Sequence, residues 1–241
     1  MIRTLFSITL RSLLNRRRTL LLALASALVV LVAALFRLSD PTESEALRFT
    51  GGLLADFGIA VVLPLVAVIV GTAAIGSELE DGTIVYLLSK PVPRIAIVAV
   101  KLLVSWLVTS AIVAPGILIA GVVASGGSIG LGVAYAVAAI VAGLEYAAIF
   151  VALSLVTSRA LVIGLAYVIV WEGVVAGLFA GTRILSVRQH ALAVGDALGG
   201  QGAVPAELGM EALVVLAIVV VGAFLIAVRR LETVELRGET G

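Results

Sequence analysis

Hydrophobic residues run through this chain in long blocks, with short polar breaks and no alternation of period two. Six blocks are long enough to cross a bilayer, at about 19–36, 53–75, 95–123, 131–156, 161–181 and 210–228, since a helical span needs roughly 20 apolar residues. Open strands cannot satisfy their backbone in lipid and a barrel would need alternation, so the blocks are read as helices. Pro64 predicts a bend in the second span, and Pro115-Gly116 a kink or break in the third. The first fifteen residues follow a different pattern. Ile2, Leu5, Phe6, Leu10, Leu13 and Leu14 fall on one helical face, with Arg3, Thr4, Ser7, Arg11 and Asn15 on the other. That pattern predicts an amphipathic helix in the membrane interface, over about 1–18, its basic side toward anionic headgroups.

Composition agrees with these blocks. Of 241 residues 62% are hydrophobic and 13% charged, with a mean hydropathy of +1.25. Soluble domains hold about 45–50% apolar and about 25% charged residues, so residues 1–241 are read as one transmembrane domain with no room for a soluble one. The run after Arg16, Arg17 and Arg18 is longer than a signal core and lacks an obvious cleavage site, so it is read as a retained span. The net charge of +1 says nothing about partners, and no nucleic-acid partner is expected. With no cysteine and a single histidine, His190, thiolate and His-rich metal sites are excluded.

Basic residues orient the spans. With the N-terminus inside, twelve fall on cytoplasmic pieces (Arg3, Arg11, Arg16, Arg17, Arg18, Lys90, Arg94, Lys101, Arg159, Arg229, Arg230 and Arg237). Four fall outside (Arg37, Arg48, Arg183 and Arg188). Both termini and the charged stretch from Glu78 to Lys101 are therefore expected in the cytoplasm of a cell-membrane protein.

That stretch carries the most specific local chemistry. Asp81 or Thr83 can cap a short helix running to about Ser89. Glu78, Glu80 and Asp81 stand at its positive end and Lys90 at its negative end. Ile84, Leu87 and Leu88 form an apolar stripe, and Pro91 and Pro93 stop the helix. The pattern alone fits a docking element rooted in spans 2 and 3, and it fits equally an amphipathic loop lying on lipid. Lys101, about two turns into span 3, can reach back to Glu78 or Glu80, or else to a lipid phosphate.

Glu78, Gly82, Thr83, Leu87, Leu88, Pro91, Arg94 and Lys101 stand at the spacing E-x3-G-T-x3-L-L-x2-P-x2-R-x6-K. This resembles the cytoplasmic loop of ABC-2 type transporter permeases, the membrane subunits of ATP-driven exporters. The basic N-terminus, the six spans and the long outer segment before the last span are similar too. Thr157-Ser158-Arg159 and Trp171-Glu172 resemble one bacterial and archaeal branch. The resemblance implies a coupling helix at 77–94 that fits a separate ATPase, with two permease protomers, as a homodimer, on two ATPase copies. ATP and Mg would be held by the partner. The chain independently lacks a G-x4-G-K-[ST] phosphate loop, so no cofactor is expected on it.

Glu145 and Glu172 stand at nearly equal distances on either side of the turn near Ser158, which predicts similar depths near mid-membrane. Two close carboxylates would not both ionise. They form either a polar patch in a pathway or a proton-sensitive switch, or a neutral hydrogen-bonded pair that fixes helix packing. Tyr146, Tyr167 and Ser154 are candidate partners. Gly173, Gly177 and Gly181 make a small-residue track along which some helix packs; the resemblance would place it near the dimer interface.

Asp56 reads as an interfacial residue. In 182–209, Ile184, Val187, Ala191, Val194 and Leu198 predict an amphipathic interfacial or re-entrant helix, with Arg183, Arg188, His190 and Asp196 toward water. A catalytic His190 lacks any surrounding constellation, and an intramembrane enzyme would have little to build with. The expectation is an all-α integral membrane protein, not an enzyme: a permease subunit of an ABC exporter. The alternative is a proton-coupled secondary transporter using Glu145 and Glu172, whose marks would be inverted repeats and matching broken helices.

Overall fold

A computed structural model describes residues 2–14, 16–80, 82–83, 92–199, 204–209 and 211–238. The described residues contain helices and no strands. Six helices are long and apolar enough to cross a membrane: span 1 (Arg17–Arg37), span 2 (Glu43–Leu79), span 3 (Arg94–Ala124), span 4 (Ile129–Val156), span 5 (Ala160–Leu178) and span 6 (Glu211–Thr233). The protein is an all-α membrane protein.

Span 4 is the hub. It packs most extensively on span 3, and it also carries span 2, span 6 and the helix Val187–Gly199. Within the chain, 67% of span 4's most apolar window is buried, against 22% for spans 1 and 5 and 17% for span 6. Spans 2, 3 and 4 thus form the core, and spans 1, 5 and 6 turn apolar faces outward. Small residues make the core tight. A Cβ on Gly121 would lie 2.7 Å from the Gly132 Cα, so spans 3 and 4 meet backbone to backbone. A Cβ on Gly164 would lie 2.4 Å from a Val68 methyl, and one on Gly71 2.8 Å from the Phe150 Cβ.

Three local features depart from expectation. The helix of span 2, expected from 53, begins at Glu43, because Thr42 and Glu45 form a capping box: the Thr42 N–H and hydroxyl donate to the Glu45 carboxylate at 2.9 and 2.6 Å. Phe36 and Phe49 stack across the preceding turn. Second, Leu53–Val62 is π-helical, and the Leu63 N–H reaches the Gly58 carbonyl. Pro64 follows at once; it offers no N–H and its ring crowds the carbonyl four residues back, and the widened turns precede it. Third, span 3 runs unbroken through Pro115. Gly116 instead admits span 1: a Cβ there would lie 2.9 Å from the Ser26 Cβ.

The N-terminal helix Ile2–Leu13 buries Leu5, Thr9 and Leu13 and packs on spans 3 and 2. Ile2 and Leu14, expected on its apolar face, are exposed, so the face toward protein is narrower than the apolar stripe. Asn15 lies outside the described residues.

Candidate functional site

Two polar sites interrupt the apolar bundle, one at the loop end of spans 2 and 3 and one within span 4. The first joins spans 2 and 3. Lys101 is 1% exposed, and its Nζ donates to the Glu78 Oε1 at 2.5 Å. Glu78 itself is 25% exposed. The lysine therefore sits in the core and its partner is half-buried, the Glu78 Oε2 being enclosed without a partner among the described residues. The helix of span 2 ends two residues later at Glu80. Gly82 adopts φ +66° and its N–H reaches the Leu79 carbonyl at 3.3 Å, the left-handed ending that glycine favours after a helix. The Thr83 hydroxyl bonds the Glu78 carbonyl at 3.4 Å, so it closes span 2. The expected coupling helix, with Asp81, Leu87, Leu88 and Pro91, lies outside the described residues. The chain returns at a buried Val92, and Pro93 caps span 3, which opens with Arg94.

The second site joins spans 4 and 5 to the segment after span 5. Past Leu178 the chain doubles back as a 3-10 turn, Ala180–Leu185, and the Trp171 indole N–H meets the Leu185 carbonyl at 3.4 Å. The helix Val187–Gly199 then runs along span 4. Glu172 of span 5 caps its start. The carboxylate accepts from the Ser186 hydroxyl at 2.7 Å and from the N–H groups of Val187 and Arg188 at 2.9 and 3.3 Å. The Tyr167 hydroxyl adds a fourth bond at 3.2 Å. A carboxylate at a helix N-terminus meets both free donors and the positive end of the dipole.

One turn on, His190 meets Glu145 of span 4, with Nδ1 3.0 Å from Oε2. Both residues are fully buried. The His190 Nε2 stands 2.9 Å from the Ile184 carbonyl. A carbonyl only accepts, so Nε2 carries a hydrogen. The Nδ1–carboxylate contact then needs one more proton, held on the imidazole or on the acid. Burial works against the charged imidazole, but the hydrogen bond and charge of Glu145 outweigh it, and the His190 pKa is raised above its ordinary value.

These positions correct the reading of 182–209. His190 does not face water: it shares a face with Val187, Ala191 and Val194, all buried. Ile184 and Leu198, expected on the apolar face, are exposed. Arg183 and Arg188 are half-buried and pair with Glu207 and Asp56. Of the partners considered for the two glutamates, Tyr167 bonds Glu172, Ser154 bonds the Val151 carbonyl, and the Tyr146 hydroxyl is buried with no partner among the described residues. Each carboxylate has its own set of donors.

Along the expected small-residue track, a Cβ on Gly177 or Gly181 would meet nothing within 4 Å, and one on Gly173 would meet only its own helix's Val168 carbonyl. Gly181 lies past the end of the span 5 helix. No described helix of this chain packs on that track.

The described residues form a six-span bundle with a polar contact at the root of the loop between spans 2 and 3. Residues 14–188 match the family described as ABC-2 family transporter protein. The chain belongs to that family and is a permease of an ABC transporter, which implies association with an ABC ATPase. No curated protein matches the chain.

Proposed function

We propose that this chain is the membrane subunit of an ABC exporter, driven by a separate ATPase that docks on the loop between spans 2 and 3. The reading rests on the family match together with one contact, the buried Lys101 held by Glu78. That contact clamps the two helix ends from which residues 77–94 project. A push on the loop then moves spans 2 and 3 together. Glu80, Asp81, Gly82, Thr83, Leu87, Leu88, Pro91 and Arg94 would form the surface or set the shape of the coupling element, and ATP and Mg would stay in the partner.

The termini and this loop face the cytoplasm, in line with the distribution of basic residues. Two permease protomers work with two ATPase copies. The uncovered Gly173–Gly177 track on span 5 suits the second protomer. The return of the chain along span 5, and then along span 4, makes 179–199 a re-entrant element at the outer end of the path.

The test is co-purification with the ATPase. Scrambling Glu78 to Arg94 should abolish capture of the ATPase while the permease still assembles; capture that survives the scramble overturns the docking assignment. A second reading, a proton-coupled transporter working through Glu145 and Glu172, draws on the single proton held between Glu145 and His190. Transport that collapses with the proton gradient and ignores ATP depletion would favour it.

A further inference from the structure

At the bundle end that carries Arg18 and Arg159, a cavity of about 910 Å³ opens between spans 1, 2, 4 and 5. Among the described residues its lining includes two arginines, Arg18 and Arg159, and no acidic residue. Ser77, Thr157 and Ser158 also line it, and Ile69, Leu155, Leu161 and Val162 supply the apolar part. Leu161 and Val162 are also exposed on the outer surface of span 5, so the apolar wall continues into the lipid-facing side.

Arg18 is the group left unsatisfied. One of its terminal nitrogens donates to the Ile69 carbonyl, but its Nε is buried with no partner among the described residues. No described carboxylate pairs with it. An unpaired half-buried cation is costly, whereas a phosphate oxygen there would gain a charge-assisted bond and share a cavity with a second arginine, Arg159. Arg18 is at the first turn of span 1 and Arg159 lies between spans 4 and 5, so both stand at one membrane boundary, where headgroups are.

We propose that this cavity binds one anionic phospholipid, its phosphate between Arg18 and Arg159 and an acyl chain along Leu161 and Val162. The site lies within a single protomer and does not depend on the ATPase or on which way the spans are oriented. A free phosphate shares the headgroup chemistry, but it would leave the apolar wall unused.

The test is native mass spectrometry of the purified full chain with phosphatidylglycerol, phosphatidylcholine or inorganic phosphate. One tightly held phosphatidylglycerol is expected per chain. Its occupancy should fall at least fivefold in Arg159→Gln and further in Arg18→Gln with Arg159→Gln, while Arg17→Gln, outside the cavity, retains it. Equal retention of phosphatidylcholine, unchanged occupancy in Arg159→Gln, or displacement by inorganic phosphate at equal concentration would each overturn the proposal. Because Arg18 also ties span 1 to span 2, a second measurement leaves both arginines in place. The chain has no cysteine, so Val162→Cys gives a single site for a bimane label. Brominated phosphatidylglycerol should quench it at least twofold more than brominated phosphatidylcholine; equal quenching overturns the assignment.

Discussion

The two buried ion pairs of this protein differ in how much water they keep. Lys101–Glu78 has one member in the core and one half-buried, whereas both members of His190–Glu145 are sealed. In the first, loss of a partner can be relieved by hydration and by the flexible lysine stem. In the second, nothing can replace the lost partner, and the remaining polar group stays buried. The first pair is suited to a joint that is loaded and released, the second to a latch that holds a helix until its proton leaves.

The sharpest way to break this contrast is Glu145→Ala. It leaves a buried imidazole without its partner and should destabilise the bundle by about 3–5 kcal/mol, read as a lower melting temperature in detergent. Glu145→Gln, which keeps a hydrogen-bonding group in place, should lose much less. An equal loss in both would mean that shape, not the shared proton, matters.

Glu78→Ala should cost about 1–3 kcal/mol, because Lys101 loses its partner but can reach toward the boundary. The exchanged pair, Glu78→Lys with Lys101→Glu, should recover part of that in the same melting assay. A loss as large as that of Glu145→Ala would erase the distinction.

The pH response should also separate the two. A histidine whose folded pKa is raised contributes stability that is fully present below its unfolded value, about 6.5. That contribution is lost as pH rises through the folded value. Trp171, tied to Leu185 beside this latch, should report the loss as a change in emission between acidic and alkaline pH. Glu145→Gln should flatten the response; a response that persists would place the titrating group elsewhere. The smallest effect belongs to Asp56→Asn. Asp56 is 72% exposed where it meets Arg188, and an exposed pair is worth at most about 1 kcal/mol, so the melting temperature should barely move.

The six spans were legible because lipid demands long apolar blocks; for Lys101 the sequence left Glu78, Glu80 or a lipid phosphate open, and packing selects Glu78. Other features were missed for physical reasons. The Thr42-x-x-Glu45 capping signature was present and would have moved the start of span 2 to Glu43. His190 was placed toward water by its polarity, although its spacing with Val187, Ala191 and Val194 put it on the buried face. Within the described chain the close helix approaches fall at Gly71, Gly116, Gly121, Gly132 and Gly164, and none falls on the evenly spaced Gly173, Gly177 and Gly181. Spacing reports what a helix offers, and only the neighbouring helix decides whether the offer is taken. The π-helical run Tyr167–Val175, which carries Glu172, has no proline or other signal to announce it.

The backbone contact between Gly121 and Gly132 has a mechanical corollary. Two helices joined without intervening side chains have no cushion along which to slide, so their hairpin behaves as a rigid lever. Lys101 is mounted near one end of that lever and Glu145 on its returning arm. A bulky residue at Gly121 should force the two helices apart at this turn, and with them the bases of both polar sites.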